Sequence, residues 1–178
     1  MWKKSNFTIV EMLTIIVIIS ILAAFLLPAL TTVRHRARKT EAKVLMNAIS
    51  TAVKSYESTY GVLPVTSSSW SNSATSSSYN LQYNTLISVL TNLDTEGNTG
   101  KNTRNIRFLD VPKDYIQKGY IDPWNNKFRV YIDTDYDGII LKTALESGTP
   151  LTEDLYGTVF LYCTSGESDN SDVTYSWK

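Results

Sequence analysis

The chain has 178 residues, and its 17 basic and 17 acidic side chains cancel, so no global field points to nucleic acid or to an acidic partner. That length suits one domain plus an appendage. The single cysteine, Cys163, excludes an intrachain disulfide and a cysteine-based metal cluster.

Much of the hydrophobic content lies between Phe7 and Val33, and no residue from Met12 to Val33 is charged. A membrane-spanning helix needs roughly 20 predominantly apolar residues. A secretory signal has a shorter apolar core of about 7–15 residues ending in small ones. Here Phe25-Leu26-Leu27 follow Ala23-Ala24 at once, so the segment is expected to be retained as an anchor. Lys3 and Lys4 precede it, whereas Arg34, Arg36, Arg38, Lys39 and Lys43 follow it. By the positive-inside rule alone this places the C-terminal part in the cytoplasm. Glu11 stands just inside the apolar stretch. It is read either as a functional intramembrane acid or as a marker of the helix start, favoured there by the helix dipole.

The run Lys3-Lys4-Ser5-Asn6-Phe7-Thr8-Ile9-Val10-Glu11-Met12 resembles the leader and processing site of type IV pilins and type II secretion pseudopilins. In that family a short basic leader ends in Gly and is followed by Phe-Thr-Leu-Ile-Glu and an apolar helix. Phe7, Thr8 and Glu11 match; Asn6 stands where Gly is usual. Pro28 falls where these helices often carry a proline. The resemblance implies cleavage between Asn6 and Phe7 by a prepilin peptidase and N-methylation of Phe7. It further implies that Glu11 neutralises the Phe7 amine of a neighbouring subunit during assembly, since an isolated charge in an apolar bundle is costly unless paired. It places the leader in the cytoplasm and the domain outside. The basic run Arg34–Lys39 is then read as a solvated collar that also interacts with lipid headgroups, the alternative being a contact with neighbouring subunits.

Between Thr40 and Tyr60, Val44, Leu45, Ala48, Ile49, Ala52, Val53, Tyr56 and Tyr60 recur at helical spacing. Gly61 is the expected left-handed cap and Pro64 prevents resumption. One helix from Phe7 to Tyr60 follows, roughly 80 Å long, with a kink or melted turn expected at Pro28. Its outer half packs a stripe on a sheet. Its inner half, apolar all round, must be surrounded by lipid or by copies of itself.

Val65–Asn80 reads as a mobile, Ser-rich, low-complexity loop, with Trp70 and Tyr79 as local pins. Leu81, Leu86, Ile87, Leu90 and Leu93 suggest a short second helix. Strands are expected at Phe128–Asp133 and Ile139–Lys142 around a turn, then at Thr158–Cys163 and Val173–Trp177. The segment Gly119-Tyr120-Ile121-Asp122-Pro123-Trp124-Asn125-Asn126-Lys127-Phe128 resembles the Asp-Pro-Trp-Gly-Asn segment of major pseudopilins, with Asn125 in place of Gly. The helix exit Tyr60-Gly61-Val62-Leu63-Pro64 resembles theirs too.

Two acidic loops are candidate calcium sites. Asp133-Thr134-Asp135-Tyr136-Asp137-Gly138 has alternating carboxylates, but the twelfth position of a calcium loop would be Ala144, not a glutamate. A tight Asp/Gly turn is the alternative. In the second loop the resemblance implies Ser165, Asp169 and Asp172 as ligands of a structural calcium; a solvated loop is the alternative. Catalysis finds no footing. His35 is the only histidine, there is no Ser/His/Asp set, phosphate loop or cofactor fingerprint, and Cys163 sits in an apolar strand as a small hydrophobe.

The whole reads as an α+β protein shaped like a pilin ladle, not an enzyme. Residues 1–6 form the leader, 7–33 the transmembrane or filament-core helix, 34–64 its amphipathic continuation, 65–118 a variable Ser-rich loop and short helix, and 119–178 the antiparallel sheet and C-terminal loop. The function the resemblance implies is that of a pseudopilin in a periplasmic filament of a type II secretion-like system. Its partners would be copies of itself, other pseudopilins, the prepilin peptidase and an inner-membrane assembly platform, with a cytoplasmic ATPase driving assembly. The location would be the bacterial inner membrane, single-pass, with the domain periplasmic. Alternatives are a type IV pilus or competence-type pilin and an uncleaved bitopic membrane protein with an extracytoplasmic binding domain.

Overall fold

The computed structural model describes residues 8–73, 76–92, 101–111, 120–145, 151, 153–164 and 172–177. They form an α+β structure. Its elements are α1 (Ile9–Tyr60), α2 (Ser76–Thr91), β1 (Arg129–Ile132), β2 (Ile139–Ile140), a 3-10 turn (Lys142–Ala144), β3 (Leu155–Tyr156), β4 (Val159–Thr164) and β5 (Val173–Tyr175). The chain divides into two compact units, Met1–Thr40 and Glu41–Lys178.

In the second unit, α1 buries Ala42, Met46, Ile49, Ala52, Val53 and Tyr56. These positions recur at three- and four-residue spacing, the pattern of one helix face. Burial of each larger aliphatic contributes about 1.5–3 kcal/mol. Val44, expected on this stripe, is instead 62% exposed, because at 100° per residue it lies roughly 140° from Ile49. Gly61 closes the helix with φ +72°, its N–H donating to the Glu57 carbonyl at 2.7 Å, as a left-handed cap requires.

The main sheet is antiparallel in the order β1-β4-β5, with Val130 opposite Leu161 and Cys163 opposite Thr174. Alternation divides its side chains. Val130, Ile132, Val159, Leu161 and Cys163 join the core with α1 and α2. Tyr131 and Tyr162 face a second core with Ile140, Leu145, Leu151 and Leu155. The hairpin expected between β1 and β2 does not form. β2 pairs with β3, a strand too short to show alternation in sequence, as a separate ribbon. The Asp133–Gly138 turn leads the chain away: the Asp133 N–H donates to the Thr158 carbonyl and the Gly157 N–H to the Gly138 carbonyl.

The second helix begins at Ser76, inside the segment expected to be loop. Its inner face is Tyr79, Tyr83, Leu86 and Leu90, all buried, while Leu81 is exposed. Two phenols supply the anchorage that Ser propensity does not. The Tyr83 hydroxyl donates to the Tyr120 carbonyl and the Tyr79 hydroxyl to that of Phe128; Tyr79 also accepts from the Val130 N–H at 3.0 Å. The described part of the Ser-rich stretch is fixed. Trp70 is buried and packs edge-on to Tyr79 at 6.1 Å. Asn72 brackets Ile132, donating to its carbonyl at 3.0 Å and accepting from its N–H at 3.1 Å.

Beyond α2, Asn102 is buried and fully engaged. It donates to the Val89 and Ile106 carbonyls at 3.0 and 2.7 Å, and accepts from the Ile106 N–H at 3.1 Å and the Tyr60 hydroxyl at 2.8 Å. One amide thus ties the ends of both helices to the 101–109 segment.

Candidate functional site

The N-terminal segment is the first candidate. α1 is long and apolar enough to cross a membrane, with a window of mean hydropathy 2.8 that is 0% buried within the chain. Large apolar side chains stand out on every side: Ile9, Leu13, Ile16, Ile19, Leu22 and Phe25 are all exposed. The helix is continuous through Pro28, so the melted turn expected there is not present. Asn6 and Phe7, the processing residues, lie outside the described residues, as does the 1–6 leader.

Glu11 has a partner inside its own chain. Its Oε2 accepts from the Thr8 N–H at 2.8 Å and from the Thr8 hydroxyl at 2.7 Å, while the Glu11 N–H donates to Thr8 Oγ1 at 3.3 Å. This reciprocal arrangement is a capping box, which satisfies donors that a helix start leaves open. Its signature, Thr followed three residues later by Glu ahead of an apolar run, stands in the sequence. The cap occupies Oε2, and a carboxylate has a second acceptor oxygen, so capping and an ion pair to a neighbour are compatible.

The Asp122–Lys127 turn is tightly specified. Asp122 Oδ1 accepts from the Trp124 and Asn126 N–H groups at 2.9 and 2.8 Å, and the Asn125 N–H donates to the Asp122 carbonyl at 3.0 Å. Asn125 takes φ 71°, the left-handed conformation that Asn tolerates in place of Gly. Gly119, which opens the matched segment, lies outside the described residues. Asp122 Oδ2 is buried without a hydrogen-bond partner, and burial raises the carboxyl above its usual range, against the two N–H bonds that lower it. The folded chain therefore holds this proton more tightly than the unfolded one. The stabilisation is full below the unfolded carboxylate range and is lost as pH rises through the shifted value. Asp122→Asn, which keeps the Oδ1 acceptor, is expected to flatten the pH dependence of urea unfolding between pH 4 and 7. Asp122→Ala is expected to cost roughly 2–4 kcal/mol by stranding two N–H groups. An Asn variant that follows the wild-type pH profile refutes this assignment.

The acidic turn is the candidate metal site. Carboxylate oxygens of Asp133, Asp135 and Asp137 lie within 4.8 Å of one another, bordering a cleft of about 420 Å³ that also reaches Ser71 and Asn72. Calcium binds oxygens at about 2.3–2.6 Å, so a set of hard donors this close fits its coordination sphere. The turn also has internal tasks. Asp133 accepts from the Tyr136 N–H at 2.9 Å and the Gly138 N–H at 2.8 Å, and Asp137 from the Ile139 N–H at 2.8 Å. Tyr136, at φ 62°, is held by its hydroxyl, which accepts from the Leu63 N–H at 2.8 Å. Asp135 is pushed above the usual carboxylate range, foremost by its hydrogen bond with the Asp133 carboxyl. Ala144, the twelfth position, falls in the 3-10 turn and offers no side-chain ligand. Of the second set, Asp172 is described, whereas Ser165 and Asp169 lie outside the described residues.

Cys163 is buried, and burial foremost, aided by the Asp122 and Asp172 charges, pushes its thiol up to about 12. It is a packed hydrophobe, not a nucleophile at neutral pH.

No family model, no curated protein and no solved structure matches this chain.

Proposed function

We propose that this chain is a membrane-anchored filament subunit of pilin-like type, acting by assembly and disassembly, and most specifically a pseudopilin of a type II secretion-like system. The observation that carries the reading is the first part of α1, apolar and exposed around its whole circumference. Such a helix needs lipid or neighbouring helices around it. Lateral exchange of one for the other gives a subunit that stores in the membrane and polymerises from it. The leader-like residues Lys3–Glu11 and the Asp122–Asn126 turn support the pilin-like class, and the absence of a second cysteine for a disulfide loop favours the pseudopilin over the pilus form. The domain would lie in the periplasm, with prepilin peptidase and an inner-membrane assembly platform as partners.

One observation favours the bitopic alternative. The Thr8 cap gives Glu11 a role within its own chain, so the acid does not by itself require a neighbour. N-terminal mass spectrometry on protein from native membranes separates the two. Filament assembly predicts a terminus at Phe7 carrying one methyl group, whereas retention of Met1–Asn6 overturns processing and leaves the bitopic protein.

Calcium is the proposed structural ion of the Asp133–Asp137 turn, where it would relieve repulsion among three carboxylates. The Asp133 carboxyl raises the proton affinity of Asp135, so protons compete with the cation there and affinity rises with pH. Calcium is expected to raise the melting temperature of the detergent-solubilised chain relative to EDTA, more at pH 7 than at pH 5. An unchanged melting temperature removes the site.

A further inference from the structure

Immediately past Val33 the helix changes character. Arg34, His35, Arg36, Arg38 and Lys39 follow within two turns, and the first acid after Glu11 is Glu41. Arg34, Arg36 and Arg38 are exposed. At 100° per residue Arg34 and Arg38 stand about 40° apart, while Arg36 lies roughly 160° from Arg38. The charges therefore encircle much of the helix instead of forming one stripe. A stripe would suit an acidic partner lying alongside; a ring suits a layer that surrounds the helix at one depth.

That depth fits. Arg34 to Lys39 spans roughly 7.5 Å of helix axis, and the headgroup layer beyond the hydrocarbon is about 5–8 Å thick on each side. We propose that Arg34–Lys39 is a binding collar for anionic phospholipid, the guanidinium groups taking headgroup phosphates in the two-pronged geometry that Arg favours. The proposal rests on the first part of α1 lying in a bilayer. It does not depend on filament assembly or on which side of the membrane the domain occupies.

Each juxtamembrane cation is worth about fivefold in affinity for an anionic surface, so three together give a preference on the order of 100-fold. The test uses the full chain in neutral detergent micelles, titrated with phosphatidylglycerol or phosphatidylcholine, with bound lipid counted by native mass spectrometry. The wild type is expected to prefer phosphatidylglycerol by about that factor at 50 mM NaCl, and far less at 500 mM, where screening shortens the reach of the charges. The triple variant Arg34→Gln, Arg36→Gln, Arg38→Gln is expected to lose the preference, and the triple Lys variant to keep most of it. Equal affinity for the two lipids, or a preference that survives in the Gln variant, overturns the collar. Insertion into phosphatidylcholine vesicles, scored by carbonate-resistant flotation, is read in parallel. Failure there overturns the membrane reading itself, whereas insertion without lipid preference refutes the collar alone.

Discussion

Replacing Glu11 with glutamine is expected to leave membrane insertion intact and to remove the chain from filaments. Glutamine still offers Thr8 the oxygen that a capping box uses, so the helix start survives, and the apolar window that drives insertion is untouched. Only the charge is lost. If Glu11 neutralises the Phe7 amine of a neighbour, the variant leaves that amine unpaired in an apolar bundle, a penalty that reduces incorporation by on the order of 100-fold or more. Thr8→Ala is the complementary change. It removes the 2.7 Å hydroxyl bond to Glu11 but leaves the carboxylate available. The assembly reading expects Thr8→Ala subunits in sheared filaments at near wild-type amounts and Glu11→Gln subunits almost absent, both at normal levels in membranes. Wild-type incorporation of Glu11→Gln would reduce the acid to a helix cap and sink the pairing mechanism.

The largest effect on stability is expected at Asn102. Its amide makes four hydrogen bonds from a side chain that is 3% exposed. Asn102→Ala strands the Val89 and Ile106 carbonyls, the Ile106 N–H and the Tyr60 hydroxyl together. The Val89 bond is buried and the other three are part-buried; a buried orphan costs about 1–3 kcal/mol, and a part-buried one less. Because the four share one site and relax together, the sum is expected to be roughly 3–5 kcal/mol, a large part of a typical domain's 5–15. Asn102→Asp keeps both bonds that Oδ1 accepts but sets a carboxylate against two carbonyls, and is expected to be no better. Urea unfolding of the detergent-solubilised chain measures both. A loss below about 1 kcal/mol for the alanine variant would mean that water replaces the amide and that the segment is held by Phe108 and Leu109, whose N–H groups donate to the Leu90 carbonyl.

What the sequence shows and hides here follows from the range of each interaction. The long helix, its exit at Gly61 and the buried face through Ile49 and Tyr56 are periodic, and periodicity survives in one dimension. Val44 is adjacent to the stripe in sequence, and only its angle on the helix separates it from the buried face. Ser76–Asn80 reads as loop by composition, yet Tyr79 and Tyr83 four residues apart hold it helical through bonds to backbone some forty residues on. Nothing local marks that pairing. The sheet's strands are legible individually, but the partnering of β1 with β4, and of β2 with β3, is set by the Asp133–Gly138 turn. Asn102 carries no pattern at all, since its partners come from three separate stretches of chain. Thr8 and Glu11 are the opposite case, a capping signature that is local in sequence and coincides with the conspicuous charge at the edge of an apolar run.

Cys163 leaves the folded protein chemically quiet. With its thiol pushed up to about 12, only about 10⁻⁵ of it is ionised at pH 7, and the side chain is buried on the core face of β4. Maleimides and mild oxidants should therefore ignore the native chain. A cysteine placed at an outward position such as Val44, 62% exposed, becomes the sole reactive thiol without any need to delete the natural one. Crosslinking between subunits can then be mapped site by site on an otherwise unaltered sequence, and late labelling of Cys163 itself becomes a clock for the opening of the sheet.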